Sequence, residues 1–315
     1  MNAVLRPRAA LARARGLFSG RRLVIGLPFV FLVVFFLLPF LIVGKISISE
    51  MGDVTVKNLV TVADGAITLV IKLSNYAFLA QDDLYFRAYA NSLEFAAVTT
   101  VVCLLIGYPF AYFMARARAS VQPALLMLVM LPFWTSFLLR VYAWKGLLSD
   151  NGLVADLLVG LHLDRLLLAA GLIGEPGRFM NTPFSLMVGM VYSYLPFMIL
   201  PLYANLAKMD LRLLEAAADL GATPWVGFWK VTVPLSRAGI IAGSMLVFIP
   251  CVGEYVIPEL LGGPGTLMIG RVIWDEFFSN NDWPMASTVA VVMILLIIVP
   301  LAIFNKYQAE AQEKR

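Results

Sequence analysis

The sequence predicts an all-α membrane protein with six transmembrane helices. Of its 315 residues, 61% are hydrophobic and only 14% are charged, and the mean hydropathy is +0.85. A water-soluble globule would need far more polar surface than this. The apolar residues also occur in runs of at least about 19 residues, which is the length that a helix needs to cross the hydrocarbon core of a bilayer. We therefore expect an integral membrane protein.

The first predicted span covers residues 23–44 and follows a basic tail at 1–22. The tail contains six arginines and no acidic residue. A cleaved signal peptide has a shorter apolar core with a small-x-small site soon after it, whereas this run is followed by KISISEMG. We therefore predict a retained first transmembrane helix.

Five further lightly charged apolar runs complete the predicted transmembrane domain, which extends over 23–305. They cover residues 92–115, 122–140, 183–204, 238–259 and 285–305. Six spans place both termini, including the tail 306–315, on one side of the membrane. Lys and Arg are more numerous on that side, so the positive-inside rule predicts that both termini are cytoplasmic.

Three segments then face outward, at 45–91, 141–182 and 260–284. The first two are long enough to hold short helices or a small lid. The stretch 45–76 has mixed polarity and weak periodicity, so the sequence assigns it no structure.

The net charge of +4 and the pI near 9.1 do not indicate a nucleic-acid partner. The basic residues are scattered at the ends of the apolar runs and form no basic stripe. Cys103 and Cys251 lie inside apolar runs and are expected to be unpaired packing residues. His162 has no cluster of ligating residues near it in the sequence, so no metal site is expected.

The loop 205–237 is the long inner connection, and its pattern predicts two short helices with a sharp bend between them. Asp210 caps the first helix, and Gly221 ends it. Thr223 and Pro224 then supply an N-cap and a first-turn proline for the second helix. Pro234 prevents smooth continuation into the fifth span.

Periodicity alone leaves two interpretations of this loop open. The alanines at 216–218 give the first helix a low surface, while Trp225, Phe228 and Trp229 make the second helix bulky. Such a pair of helices fits a groove of another protein. It equally fits an amphipathic connector whose tryptophans lie at the lipid headgroups.

The spacing of the loop favours the first interpretation. It follows the pattern E-A-A-x3-G-x9-hydrophobic-x-hydrophobic-P, which resembles the cytoplasmic signature of ABC importer permeases. The matching positions are Glu215, Ala216, Ala217, Gly221, Val231, Val233 and Pro234. The resemblance implies a type I ABC importer permease fold in which this loop, with Ala222, Thr223 and Pro224 in its bend, is a coupling helix that docks onto an ATPase subunit.

Longer stretches resemble the putrescine/spermidine importer permeases from about residue 20 to the C-terminus. They are LPFWTSFLLRVYAW (131–144), AGIIAGSMLVFIP (238–250), VGEYVIPELLGGP (252–264), MIGRVIWDEFF (268–278) and DWPMAS (282–287). The chain is most similar to the putrescine-specific type, and DWPMAS belongs to the same pattern. The tail and the loop around 155–180 depart from the family pattern.

This resemblance implies a bacterial inner-membrane complex. Its other members would be a homologous second permease, a dimer of ABC ATPases and a periplasmic polyamine-binding protein. The sequence itself contains no G-x-x-x-x-G-K-[ST] pattern, and GGPGT at 262–266 lacks the lysine. We therefore expect no cofactor on this chain, ATP and Mg on the partner ATPase, and no enzymatic activity of its own.

A path for a polyamine needs carboxylates and aromatic faces in place of water. Three acids lie in the predicted spans, namely Glu94, Glu254 and Glu259. A carboxylate in hydrocarbon is costly, by about 2.5–3.5 kcal/mol on insertion scales, which makes it a functional candidate. Glu94 and Glu259 lie near span ends, so an interfacial position facing water is the alternative for both.

Glu254 is the acid placed deepest by the sequence, about 24 Å along an ideal helix from Ala238. Pro250 and Pro258 bracket it and Tyr255, so the helix is expected to open locally and expose carbonyl oxygens. A structural hydrogen bond from Glu254 to a neighbouring helix is the alternative to a place in the path.

Tyr192 and Tyr194 of the fourth span are further candidates for lining the path, with ordinary core packing as the alternative. The sequence thus predicts one half of an alternating-access polyamine importer. An ABC permease for another solute, such as an amino acid or ferric ion, is the first rival hypothesis. A secondary transporter is the second, although no convincing inverted repeat is visible.

Overall fold

The computed structural model describes residues 20–52, 55–57, 59–63 and 66–313. The predicted basic tail lies outside these ranges except for residues 20–22. The first helix, α1, is continuous from Gly20 to Ser47 and includes a π-helical turn at Val33–Leu37. None of its apolar side chains from Val24 onward is buried by the rest of the chain, as expected of a helix that faces lipid.

A small antiparallel hairpin occupies part of the stretch that the sequence left unassigned. Strand β1 is Val60–Ala63 and strand β2 is Ala66–Leu69, with Val60 opposite Leu69. It is a minor exception in an otherwise helical chain.

The remaining helices follow in chain order. They are α2 (Ser74–Gln81), α3 (Asp83–Arg116), α4 (Gln122–Met130), α5 (Phe137–Leu147), α6 (Leu153–Gly160), α7 (Leu163–Ala169), α8 (Pro183–Leu206), α9 (Arg212–Asp219), α10 (Pro224–Gly227, continued by a π turn at Phe228–Thr232 and by Val233–Leu235), α11 (Arg237–Val252), α12 (Val256–Leu261), α13 (Ile269–Trp274, continued by a π turn at Asp275–Ser279) and α14 (Trp283–Glu313).

Helices α3, α8 and α11 form the centre of the fold. Gly107 of α3 and Gly243 of α11 both face Met198 of α8. A Cβ atom on Gly107 would lie 3.1 Å from Met198 Cγ, and one on Gly243 would lie 2.8 Å from Met198 Sδ. Small residues at these crossings allow the backbones to approach, which is how helices associate where lipid removes the hydrophobic driving force.

The helix that contains the second predicted span begins before it. Helix α3 starts at Asp83, where Asp82 caps it by accepting a hydrogen bond from Leu84 N at 2.8 Å. Its 34 residues make a helix about 51 Å long. Such a helix is longer than the hydrocarbon core is thick, and Glu94 lies within it rather than at its start.

The third and fifth predicted spans are not single straight helices. Helix α4 continues as a 3-10 turn to Trp134. The chain then bends by 87° between this segment, Gln122–Trp134, and α5, Phe137–Leu147. The fifth run ends as a helix at Val252 and restarts at Val256, which is the local opening that the two prolines predicted. Within the described residues, three helices are long and apolar enough to span a bilayer, and two bent pairs would raise that number to five.

The fourth predicted span coincides with α8. A capping box fixes its start, in which Thr182 Oγ1 accepts from Ser185 N and Ser185 Oγ accepts from Thr182 N. The sixth predicted span lies inside α14. The total of six spans stays a prediction.

Candidate functional site

The loop 205–237 has the bent two-helix structure that its sequence predicted. Gly221 has φ +82° and ends α9. The amide of Gly221 donates to Ala218 O, and the amide of Ala222 donates to Ala217 O. These two hydrogen bonds form a Schellman motif, in which a left-handed residue closes the helix.

The second helix of the loop begins as predicted. Thr223 Oγ1 accepts from Val226 N at 3.3 Å, and Pro224 occupies the first turn. The segment Pro224–Leu235 then meets α11 at 64°. Pro234 lies in the last turn before this bend.

One aromatic residue of the loop faces inward. The ring of Phe228 packs edge-on against Tyr108 and Tyr112 of α3, with centroid distances of 5.6 and 5.8 Å. Tyr108 also shares a hydrogen bond with Ser236 at 2.8 Å. The expectation that Phe228 would insert into another protein is therefore wrong, because this side chain attaches the loop to α3.

The rest of the loop leaves an apolar surface uncovered. Trp225 and Trp229 are exposed, and Leu220 at the bend is 90% exposed. Glu215 and Ala216 are exposed beside them. This surface is attached to α3 through Phe228 and continues into α11, and none of the described residues covers it.

A second candidate site lies at the break between α11 and α12. Glu254 stands in the break, and its Oε1 accepts from Tyr255 N at 3.2 Å and from Val256 N at 3.1 Å. Its Oε2 accepts a hydrogen bond from the hydroxyl of Tyr194 in α8. Both carboxylate oxygens of Glu254 therefore accept hydrogen bonds from this chain. A structural hydrogen bond to a neighbouring helix is the alternative that the sequence left open for Glu254.

An exposed row of aromatic rings begins beside Glu254. Tyr255 stacks on Trp274 with ring centroids 4.4 Å apart and planes at 14°. The ring of Trp274 in turn contacts the ring of Phe278, with centroids 4.1 Å apart. We call Tyr255, Trp274 and Phe278 the aromatic shelf. Trp274 is 41% exposed, so the shelf presents ring surface to any solute that reaches it.

Charged groups border the aromatic shelf. Arg271 Nε lies 2.8 Å from Glu259 Oε2 and 3.9 Å from Asp275 Oδ2. The three side chains remain partly exposed, so they form a polar edge with one more negative than positive charge. Glu259 is thus part of a salt-bridged cluster and not an isolated acid.

The outer segment that carries the shelf is tied to α3. Asn91 Nδ2 donates to Leu267 O at 3.1 Å, and Ile269 N donates to Ser92 Oγ at 2.7 Å. Tyr85 donates to Glu276 Oε1 at 2.7 Å. These hydrogen bonds hold α13 in place at the N-terminal end of α3.

Comparison with known proteins shows the family of this chain. The profile of the family described as "Binding-protein-dependent transport system inner membrane component" matches residues 104–312. The chain belongs to this family. It is a transport component of the bacterial inner membrane, with an ABC importer permease fold.

Full-length relatives support the assignment. The chain is 38% identical over 291 residues to the "Spermidine/putrescine transport system permease protein PotB" of Haemophilus influenzae, covering 92% of this chain and 93% of the relative. It is 41% identical over 237 residues to the protein of the same name in Escherichia coli, covering 74% and 82%.

Solved structures share the fold at low identity. A bacterial ABC transporter involved in the import of the acidic polysaccharide alginate matches with a TM-score of 0.64, 16% identity and 96% coverage of both chains. The MetNI methionine ABC transporter matches with a TM-score of 0.52 and 16% identity, covering 70% of this chain and 93% of that one.

Two predicted path residues of the permease are not brought to the shelf. Tyr192 is two positions from Tyr194 and so lies about 200° away around α8. It contacts Trp144 and lines an apolar lateral cavity of about 430 Å³. Glu94 is exposed on α3, and among the described residues it forms neither a hydrogen bond nor a salt bridge.

Only weak signals for the partners of Tyr255 are present in the sequence. Trp274 and Phe278 are four residues apart in WDEFF and so share one helix face, but this spacing alone does not distinguish a binding shelf from a solvated surface. Arg271 and Asp275 have the same spacing. What the sequence did not show is that the break at Gly253 brings Tyr255 onto this face.

Proposed function

We propose that this chain is one of two homologous permease subunits of an ATP-driven importer that moves a polyamine into the cytoplasm. The observation that carries the proposal is the match to relatives named for spermidine and putrescine over 92% of the chain. The proposed partners are the second permease, a dimer of ABC ATPases and a periplasmic polyamine-binding protein. ATP and Mg would bind to the ATPases, and both termini of this chain would lie in the cytoplasm.

The chemistry of the aromatic shelf supports a cationic solute. An ammonium group is attracted to the faces of Trp and Tyr rings, most strongly where water is excluded. Carboxylates at the polar edge add charge-assisted hydrogen bonds. We propose that Tyr255 and Trp274 receive the carbon chain and amines of the solute, with Glu259 and Asp275 beside them.

Glu94 and Tyr192 remain proposed path residues whose role depends on the second permease. Both are accessible in the single chain, and both lie on helices that pack in the centre of the fold. A polyamine has an amine at each end, so one carboxylate and one aromatic ring away from the shelf are consistent with its length.

The loop 205–237 supports a mechanical link to ATP hydrolysis. Its exposed surface around Leu220 and Trp225 would bind the ATPase, and Phe228 would pass the movement to α3. Because α3 also holds α13 through Ser92, one helix connects the inner loop to the outward shelf. Alternating access would then follow from tilting of these packed helices, with the shelf binding weakly enough to release its solute.

Reconstituted transport tests the proposal. The complete complex in proteoliposomes, with ATP and the loaded binding protein, is expected to take up labelled putrescine or spermidine, and the unlabelled polyamine is expected to compete. An amino acid or ferric ion should not compete. Uptake should persist when the proton gradient is collapsed, whereas uptake that needs the gradient and not ATP would show a secondary transporter.

A further inference from the structure

Glu254 lies where the backbone of the broken helix would otherwise lack hydrogen-bond acceptors. Helix α11 ends at Val252, and α12 begins at Val256. The first amides of a helix have no carbonyl one turn before them. Water does not satisfy such groups in the hydrocarbon core, so the protein must do so.

The side chain of Glu254 supplies that acceptor. Oε1 lies 3.2 Å from Tyr255 N, 3.1 Å from Val256 N and 3.5 Å from Ile257 N. The carboxylate thus caps α12 with one oxygen. It is directed at its own backbone rather than at the aromatic shelf.

The second oxygen connects the break to α8. Oε2 accepts from Tyr194, whose side chain is only 8% exposed. The other end of α12 is held by the same helix, since Ser185 Oγ donates to Leu261 O at 2.6 Å. Helix α12 is therefore fixed to α8 at both ends.

The opposite side of the break is closed by a glycine of α13. A Cβ atom on Gly270 would lie 2.5 Å from the carbonyl oxygens of both Gly253 and Glu254. The backbone of the break is thus enclosed between Gly270 and the side chain of Glu254. This enclosure sets the direction in which Tyr255 leaves the break to stack on Trp274.

We infer that Glu254 is a positioning residue for transport. It holds α12 and Tyr255 in place through the hydrogen bonds of its carboxylate oxygens, and its negative charge is not a ligand of the solute. This inference rests on the proposed function only for its transport readout. The hydrogen bonds of Glu254 at the break between α11 and α12 do not depend on the proposed function.

Three substitutions separate the hydrogen bonds of Glu254 from its charge. Glu254→Gln keeps an oxygen for the backbone amides and an NH2 group that can donate to Tyr194, but it removes the charge. Glu254→Ala removes both. Tyr194→Phe removes only the connection to α8, and Tyr142→Phe, an exposed tyrosine of α5, is its matched control.

Transport of the reconstituted complex is measured for each variant as a maximal rate and a KM. Glu254→Gln is expected to retain uptake within about twofold, with KM unchanged. Glu254→Ala should lower the maximal rate by about tenfold or more, because buried donors lose their acceptor. Tyr194→Phe should lower the same rate by a few fold, and Tyr142→Phe should not.

A second readout does not depend on any solute. Hydrogen exchange of the amides at 255–257, in the complex in lipid nanodiscs, should be as slow in Glu254→Gln as in the natural protein. Exchange should be at least about tenfold faster in Glu254→Ala. If that variant fails to assemble, the few-fold loss of maximal rate expected for Tyr194→Phe tests the connection to α8 instead. Slow exchange in assembled Glu254→Ala, or an unchanged rate in Tyr194→Phe, would overturn the inference.

The two readouts also distinguish the inference from the proposed function. If the natural complex takes up no polyamine, the proposed function fails, while the exchange measurement still decides the role of Glu254. If Glu254→Gln assembles and shows slow exchange but loses uptake as completely as Glu254→Ala, the charge of Glu254 is what transport needs. In that case Glu254 is a path ligand, and the inference is wrong.

Discussion

Gly221 is the residue on which the bend of the inner loop depends. Its φ of +82° lies in the left-handed region, and no atom lies within 4 Å of the place where a Cβ would be. A substitution there acts through backbone strain and not through a clash. The penalty is about 1–2 kcal/mol for most residues and is greatest for β-branched ones.

We therefore predict that Gly221→Val uncouples ATP hydrolysis from transport. The variant should straighten or shift the bend, so that the loaded binding protein no longer stimulates the ATPase fully and uptake falls. Gly221→Asn is the control, because Asn tolerates the left-handed conformation. Normal stimulated hydrolysis and uptake in Gly221→Val would contradict this role of the bend.

Trp274 is the central ring of the aromatic shelf and should contribute to solute affinity. Trp274→Ala removes a cation–π face worth about 0.5–2 kcal/mol, so KM for polyamine uptake should rise by roughly two- to thirtyfold, with assembly unchanged. Phe86→Ala is the matched control, since Phe86 is 73% exposed on α3 and takes no part in the shelf. An equal KM change in both variants would remove the shelf from the path.

The elements show why some of this structure was predictable and some was not. The start and end of the two loop helices depend on neighbours within six residues, so Asp210, Gly221 and Thr223 were interpretable in sequence. Asp82 acts in the same way at α3, but it precedes the apolar run at 92–115, and hydropathy alone does not show where a helix begins outside such a run.

Long-range contacts account for what the sequence did not reveal. Tyr85 and Glu276 are 191 positions apart, and no local pattern connects them. The prolines around Glu254 predicted the break, but not that Tyr194 would meet the carboxylate. Phe228 likewise faces inward because Tyr108 and Tyr112 of α3 lie next to the loop.

The contact between α13 and the break gives a prediction at the level of helices. Gly270→Ala places a methyl group against two backbone carbonyls, and overpacking of this kind costs about 1–3 kcal/mol. The thermal stability of the purified complex should fall. Gly265→Ala is the control, because nothing lies within 4 Å of its Cβ position; equal melting temperatures for both variants would show that α13 does not press on the break.

For the whole molecule, α3 joins the exposed surface of the loop 205–237 to the aromatic shelf. The loop is attached to α3 at Tyr108, and α13 is attached to the same helix at Ser92. The remaining exposed apolar surface of the single chain is extensive and includes α1, which is consistent with lipid on one side and a second permease on another. The path is therefore expected to be completed only in the assembled complex.

The most direct test of this account is a crosslink from the bend of the inner loop. Leu220→Cys, labelled with a photoactivatable maleimide in the complete complex in lipid nanodiscs, is expected to crosslink to the ATPase subunit. Leu153→Cys, at a position 79% exposed in the outward segment 141–182, should not. Attachment of the Leu220 probe to lipid alone, with the ATPase subunit present and unlabelled, would contradict the proposal that ATP hydrolysis drives this permease through its inner loop.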